Sequence, residues 1–127
     1  LDEAGAEAMA GYAEAMDAFD LRGGAEAAWE LVTAANQYIV QVAPWTLAKQ
    51  GKDPELDQAL ASLARCLLRL AVLAWPFIPG KAGSLWQLLG QADRPIRAWN
   101  AATHPEVTGL TVRKPDGLFP KPPVANP

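Results

Sequence analysis

Cysteine and histidine are nearly missing from this 127-residue chain, which has one of each. A lone cysteine excludes an intrachain disulfide. Cys66 sits in the leucine-rich stretch "ARCLLRL", the setting of a buried, inert thiol. His104 lies in a "THPE" loop, so neither a zinc site nor a histidine-paired nucleophile can be assembled. A glycine-rich phosphate loop is also lacking. No catalytic, metal-binding or cofactor-binding residues are therefore expected in the chain itself. The scarcity of thiols suits a reducing, cytoplasmic compartment. Long apolar runs are missing too. The most apolar segment, "LLRLAVLAWPFIP", is too short to cross a bilayer and contains Arg69, and no signal peptide is visible, so no membrane partner is expected. The chain opens at Leu1 without a methionine, as a fragment or a processed product would. β-Branched residues are sparse outside 103–113 whereas alanine is abundant, which predicts an all-α domain.

What is present fits one globular unit. Half the residues are hydrophobic and a fifth are charged, enough to bury a core at this length. The net charge of −3 is unevenly spread. Residues 1–35 carry eight carboxylates and one arginine, whereas residues 36–127 carry ten lysines and arginines against six carboxylates. Such a chain allows a localised anionic partner and argues against indiscriminate coating of nucleic acid.

The spacing predicts a first helix over about 3–19, with Asp2 as N-cap and Met9, Tyr12, Met16 and Phe19 on one face. Gly23-Gly24 is expected to break the chain. A second helix should cover about 25–42, with an apolar stripe of Ala28, Val32, Ala35, Ile39 and Val42 opposite Glu26, Glu30, Thr33, Gln37 and Gln41. Asn36 falls at the border and reads as a structural amide bonded to a neighbouring helix. Pro44 ends this element, and Trp45–Gln50 is expected to make one more turn. "KDPELDQAL" starts a further helix, with Asp53 as cap and Pro54 in the first turn. Leu56, Leu60, Leu63, Leu67 and Leu70 form its apolar ladder, and Gln58, Ser62, Arg65 and Arg69 a polar stripe. A last main helix is expected over about 80–89, stopped by Gly90. Residues 91–127 read as an extended, proline-rich tail in which "AWNAAT" is a short helix and "GLTVRK" the only strand-like piece, with Val112, Leu118 and Phe119 docking it.

Several stretches carry a resemblance: "AANQYIVQVAPWTLAKQ", "DPELDQAL" and "RLAVLAWPFIPGKAGSLWQLLG", then the tail's "GLTVRKPDGLFPK". From Leu21 to Gly90 the chain resembles the C-terminal anticodon-binding domain of methionyl-tRNA synthetases. The most specific pattern is Asn36, Tyr38, Pro44, Trp45, Leu47 and Lys49. Related synthetases share looser versions, so methionine ranks above leucine, valine, isoleucine and cysteine. The resemblance implies an antiparallel helical bundle over 1–90 that grips the anticodon end of a tRNA, with a tail over 91–127 packing on the bundle or on a catalytic domain. It implies that Pro44 and Trp45 lie beside the anticodon bases. The family's catalytic domain, where ATP and methionine would bind, has no counterpart here. Nor has the first helix of its anticodon domain, with its Asn-x-x-x-Arg pair.

The physical reading of Trp45 agrees with that role. Unpaired bases are recognised by stacking on flat side chains, and the preceding proline stiffens the backbone under the indole. Backbone groups freed at the helix break are available to read base identity, and Lys49 and Lys52 follow within reach of phosphates. From spacing alone, a tryptophan behind a helix-ending proline is more often a plug on the bundle; the resemblance turns the expectation to base contact. Trp29, Trp75, Trp86 and Trp99 are expected in the core or under the tail. Arg65 and Arg69 share a helical face, from which they either touch the tRNA backbone or pair with helix carboxylates. Two other functions fit the composition: a helical protein-interaction module docking through "LLRLAVLAW" or the tail, and a free-standing remnant that binds tRNA loosely.

Overall fold

The computed structural model describes residues 1–96, 99–114 and 117–123. It contains six helices, α1 (Asp2–Asp17), α2 (Leu21–Val42), α3 (Pro44–Lys49), α4 (Asp53–Ala74), α5 (Pro79–Leu88) and α6 (Trp99–Thr103), and no strand among the described residues. The all-α expectation holds. The α4 helix is the hub, packing on each of the other five. Met9 and Tyr12 of α1, Leu31 of α2, Leu73 of α4, Trp86 of α5 and Ala102 of α6 meet in a single core. Ala102 and the neighbouring Ile96, Val107 and Leu110 join the tail to that core. Parts of the predicted tail, including Pro115 and Pro127, lie outside the described residues, as does Ala98 of "AWNAAT".

Helix ends follow a common device. At the close of α3, Lys52 N–H donates to Leu47 O (3.0 Å) and Gly51 N–H to Ala48 O (3.3 Å), with Gly51 at φ +67°. At the close of α5, Gln91 N–H donates to Trp86 O (3.2 Å) and Gly90 N–H to Gln87 O (3.0 Å), with Gly90 at φ +74°. Both are left-handed glycine caps that satisfy otherwise orphaned carbonyls. Gly90 has a second constraint, since a Cβ there would lie 2.9 Å from Thr111 O. Arg113 N–H then donates to Leu88 O (3.0 Å), seating the tail against the end of α5. "GLTVRK" makes that contact without forming a strand.

The end of α1 uses the same bonds with the wrong residue. Asp20 N–H donates to Ala15 O (2.8 Å) and Phe19 N–H to Met16 O (3.0 Å), which places Phe19 at φ +58°. Phe19 is 91% exposed rather than on the apolar face predicted for it. A phenylalanine in the left-handed region carries a strain of about 1–2 kcal/mol. Phe19→Gly therefore raises stability by about 1 kcal/mol in a urea titration; a lowered midpoint would show that the ring makes an unseen contact.

Other boundaries and phases depart from the sequence reading. Gly23-Gly24 does not break the chain, because α2 starts at Leu21. The Asp20 carboxylate accepts from Gly23 N–H (2.9 Å) and caps the helix. Gly24 is buried, and a Cβ there would meet the Met16 sulfur at 2.7 Å. Asp2 is not an N-cap; Leu1 holds that position and the carboxylate is used elsewhere. Asp53 is already helical, with Lys52 as N-cap. In α4, Leu60 and Leu67 are exposed while Ala59, Cys66, Leu68, Ala71, Val72 and Leu73 are buried. Of the predicted polar stripe, Gln58 is exposed, whereas Ser62, Arg65 and Arg69 turn toward polar partners on α1 and α6.

Candidate nucleic-acid interface

Residue 43 is the pivot of the candidate site. Ala43 N–H closes α2 on Ile39 O (2.9 Å), and Ala43 O then accepts from Thr46 N–H (2.8 Å) and Leu47 N–H (3.3 Å) to open α3. One residue thus ends one helix and starts the next, in a left-handed conformation with φ 46° and ψ 68°. Pro44 follows with no N–H to return to the Val40 carbonyl and a ring that fixes φ. Trp45 occupies the first turn of α3 and is 54% exposed, while Pro44 is half-buried. Leaving an indole half in water forgoes burial free energy on the order of 2 kcal/mol. Its backbone support is rigid, as a stacking platform requires. Lys49 in the last turn of α3 and Lys52 at the head of α4 are both exposed. The structure therefore places Pro44, Trp45, Lys49 and Lys52 on one short kinked segment, three of them open to solvent.

The two arginines are held elsewhere. Arg65 grips Asp2 with Nε to Oδ1 at 2.7 Å and Nη2 to Oδ2 at 2.9 Å, while Ser62 Oγ donates to Oδ2 at 2.9 Å. Arg69 is buried, with Nε donating to Ala102 O (3.0 Å) and Nη1 to Asp2 O (3.3 Å). Of the two roles open to these side chains, the structure shows the carboxylate and carbonyl partners. The Arg69 guanidinium caps the carbonyl of Ala102 near the end of α6. Arg65, about a third exposed, already has its bidentate partner.

This pairing has a pH signature. The hydrogen bonds from Arg65, against a partial desolvation cost and with help from Ser62, hold the Asp2 carboxyl at about 2, below its ordinary 3.8. Its folded pKa is depressed, so its stabilisation is complete above pH 3.8 and is lost as pH falls through 2. The carboxylate is 46% exposed, and solvent screening makes that contribution small. Asp2→Asn is expected to lower the denaturation midpoint slightly at pH 6 and by less at pH 2, checked by paired denaturant titrations at the two values. Cys66 is buried among leucines, and burial pushes its thiol up to about 11, the inert state expected of it.

Of four further aromatic and polar positions, Trp86 and Trp99 meet expectation, and Trp29 and Asn36 do not. Trp86 is a core residue, its Nε1 donating to Arg94 O at 2.8 Å. Trp99 stacks on Tyr12 with centroids 5.9 Å apart, under the tail as expected though a third of its surface stays open. Trp29 is 60% exposed and not a core residue. Asn36 is exposed as well, so it is not a buried interhelical amide. Trp29, Asn36 and Val40 lie on one line of α2 running toward the Ala43 pivot, at spacings of seven and four. The signal for Trp29 was present in its neighbours, since Glu26 and Thr33 at i−3 and i+4 belong to the wet face.

Among the described residues no group of histidine, cysteine and carboxylate ligands is placed to hold a metal ion, and no helix is long and apolar enough to cross a membrane. The family model described as the anticodon-binding domain of methionyl-tRNA ligase matches residues 1–123. A methionine–tRNA ligase of Bacillus subtilis (strain 168) is 32% identical over 117 residues, covering 91% of this chain and 18% of the relative. That of Lactococcus lactis subsp. lactis is 30% identical over 122 residues, covering 95% and 18%. One from Cereibacter sphaeroides (strain ATCC 17025) is 37% identical over 122 residues, covering 91% and 20%. The chain thus spans about a fifth of the length of these relatives. No solved structure matches it. With the kinked Pro-Trp junction at the head of α3, a helical bundle built on α4 and a match over nearly every residue, the chain belongs to the family of anticodon-binding domains of methionyl-tRNA ligases.

Proposed function

We propose that this chain recognises the anticodon of a methionine tRNA, as the appended helical domain of an ATP-dependent methionine–tRNA ligase. The observation that carries the reading is Trp45, half in solvent on a proline-fixed turn. An anticodon base stacks on the indole, and Lys49 and Lys52 meet adjacent phosphates. Stacking supplies affinity without identity, because every base has a π-face. Identity comes from hydrogen bonds to base edges splayed out of the loop, for which the interrupted backbone at Val40–Val42 offers carbonyl acceptors. Charging, and the ATP and methionine it consumes, is assigned to a catalytic domain that partners this bundle. A cytoplasmic site of action accords with this reading.

The test is anticodon discrimination at fixed salt. The full chain is titrated with methionine tRNA and with the same tRNA carrying an altered anticodon. A preference of about tenfold or more is expected, since one mismatched contact costs about 1–3 kcal/mol. Equal affinities that both fall steeply with salt would instead describe a loose polyanion binder and end the anticodon reading.

A further inference from the structure

We infer that a second, cationic cleft between α5 and the tail takes the phosphodiester backbone of the bound RNA. The cleft, about 350 Å³ in volume, is lined by Lys81, Ser84 and Gln87 of α5 and by Arg113, Lys114 and Leu118 of the tail. Three cations share it, and no carboxylate lines it among the described residues. Only three cations are in ion pairs or buried among the described residues. Arg22 is paired with Glu26, Arg65 with Asp2, and Arg69 is spent inside the bundle. Lys81, Arg113 and Lys114 make no ion pair among the described residues, although the chain as a whole is acidic. Like charges gathered in one cleft repel one another, and that cost is offset when an anion enters.

The cleft is also built rather than incidental. Arg113 N–H is fixed to Leu88 O, the left-handed turn at Gly90 lets Thr111 O come close, and Lys81 Nζ sits 5.6 Å over the Phe119 ring. Two segments distant in sequence thereby hold their cations against one opening. A polyanion with regularly spaced single charges fits this better than a compact ligand, because the lining lacks an enclosing pocket of buried donors. The inference rests on the proposed RNA binding but concerns a different surface. The α3 helix leads into the start of α4 and α5 folds back from its end. These two ends are about 33 Å apart at 1.5 Å per residue.

The experiment measures binding of the full chain to methionine tRNA as a function of salt. The variant Lys81→Gln/Arg113→Gln/Lys114→Gln is compared with a charge-keeping control, Lys81→Arg/Arg113→Lys/Lys114→Arg. All three side chains are exposed, and circular dichroism confirms that both variants fold. The slope of log affinity against log salt is expected to shrink by about 2–3 in the neutral variant and to stay unchanged in the control. The loss should be equal for matched and altered anticodons, because phosphates carry no sequence. A wild-type chain that binds no RNA overturns both this inference and the proposed function. Wild-type binding with the same slope in the neutral variant overturns this inference alone, and if that variant also changes its association state, the cleft belongs to an acidic protein partner instead.

Discussion

Replacing Trp45 with alanine in the full chain weakens binding of methionine tRNA about 5- to 150-fold, the equivalent of 1–3 kcal/mol for one base–aromatic stack. The structure makes this a test of function rather than of folding. More than half of the side chain is in solvent, so truncation leaves no internal cavity, and the denaturation midpoint is expected to shift by no more than about 0.5 kcal/mol equivalent. Trp45→Phe should keep part of the affinity, because a smaller ring still stacks. Trp45→Leu, apolar but not flat, should behave like alanine. Where charging can be followed in a complete ligase, the loss should fall on the efficiency with which tRNA is used. Unchanged binding in the alanine variant would remove the indole from recognition and leave it a partly covered plug on α3.

The second large effect is structural and reverses sign with its background. Gly5 lies in the interior of α1, where alanine is ordinarily better than glycine by about 1 kcal/mol. Here a Cβ would overlap Arg69 Nη1 and stand 3.1 Å from its Cδ and Cζ. The guanidinium cannot retreat freely, because Ala102 O and Asp2 O hold it. Gly5→Ala is therefore expected to destabilise by about 2 kcal/mol, a clash outweighing the helix gain. Arg69→Ala alone should cost about 3 kcal/mol, since it strips the packed stem and leaves a buried carbonyl at the end of α6 without a donor. In that Arg69→Ala background the clash is gone, and adding Gly5→Ala should restore about 1 kcal/mol. Urea titrations of the four proteins close the cycle. Additive losses would mean that glycine at position 5 serves some purpose other than housing the arginine.

Much of this architecture was legible in the residues because local rules decide it. Proline at positions 44, 54 and 79 opens helices and glycine at 51 and 90 closes them, whereas the buried residues of α2, Gly24, Ala27, Ala28 and Leu31, share only Ala28 with the predicted stripe. The Pro44–Trp45 kink was legible for the same reason. The misreadings at Ser62, Arg65 and Arg69 originate in partners far along the chain, and that at Gly24 in a neighbouring helix. Ser62 and Arg65 look like a wet stripe until Asp2, sixty residues away, arrives to receive them. Arg69 looks like a phosphate ligand until α6 offers it a carbonyl. Gly23-Gly24 looks like a breaker until Met16 needs the space a side chain would fill. Trp29 is a different case, because its helical phase points outward while its size argues for the core.

Position 90 gives the α5–tail corner an unusual sensitivity. Any residue other than glycine there must adopt a disfavoured backbone angle and also push back the Thr111 carbonyl, two residues from Arg113 and three from Lys114. A single methyl group would thus act as a wedge, prising one wall of the cationic cleft from the other while leaving every charge in place. Variation at this site should be felt as a loosened hold on RNA well before the bundle itself begins to melt.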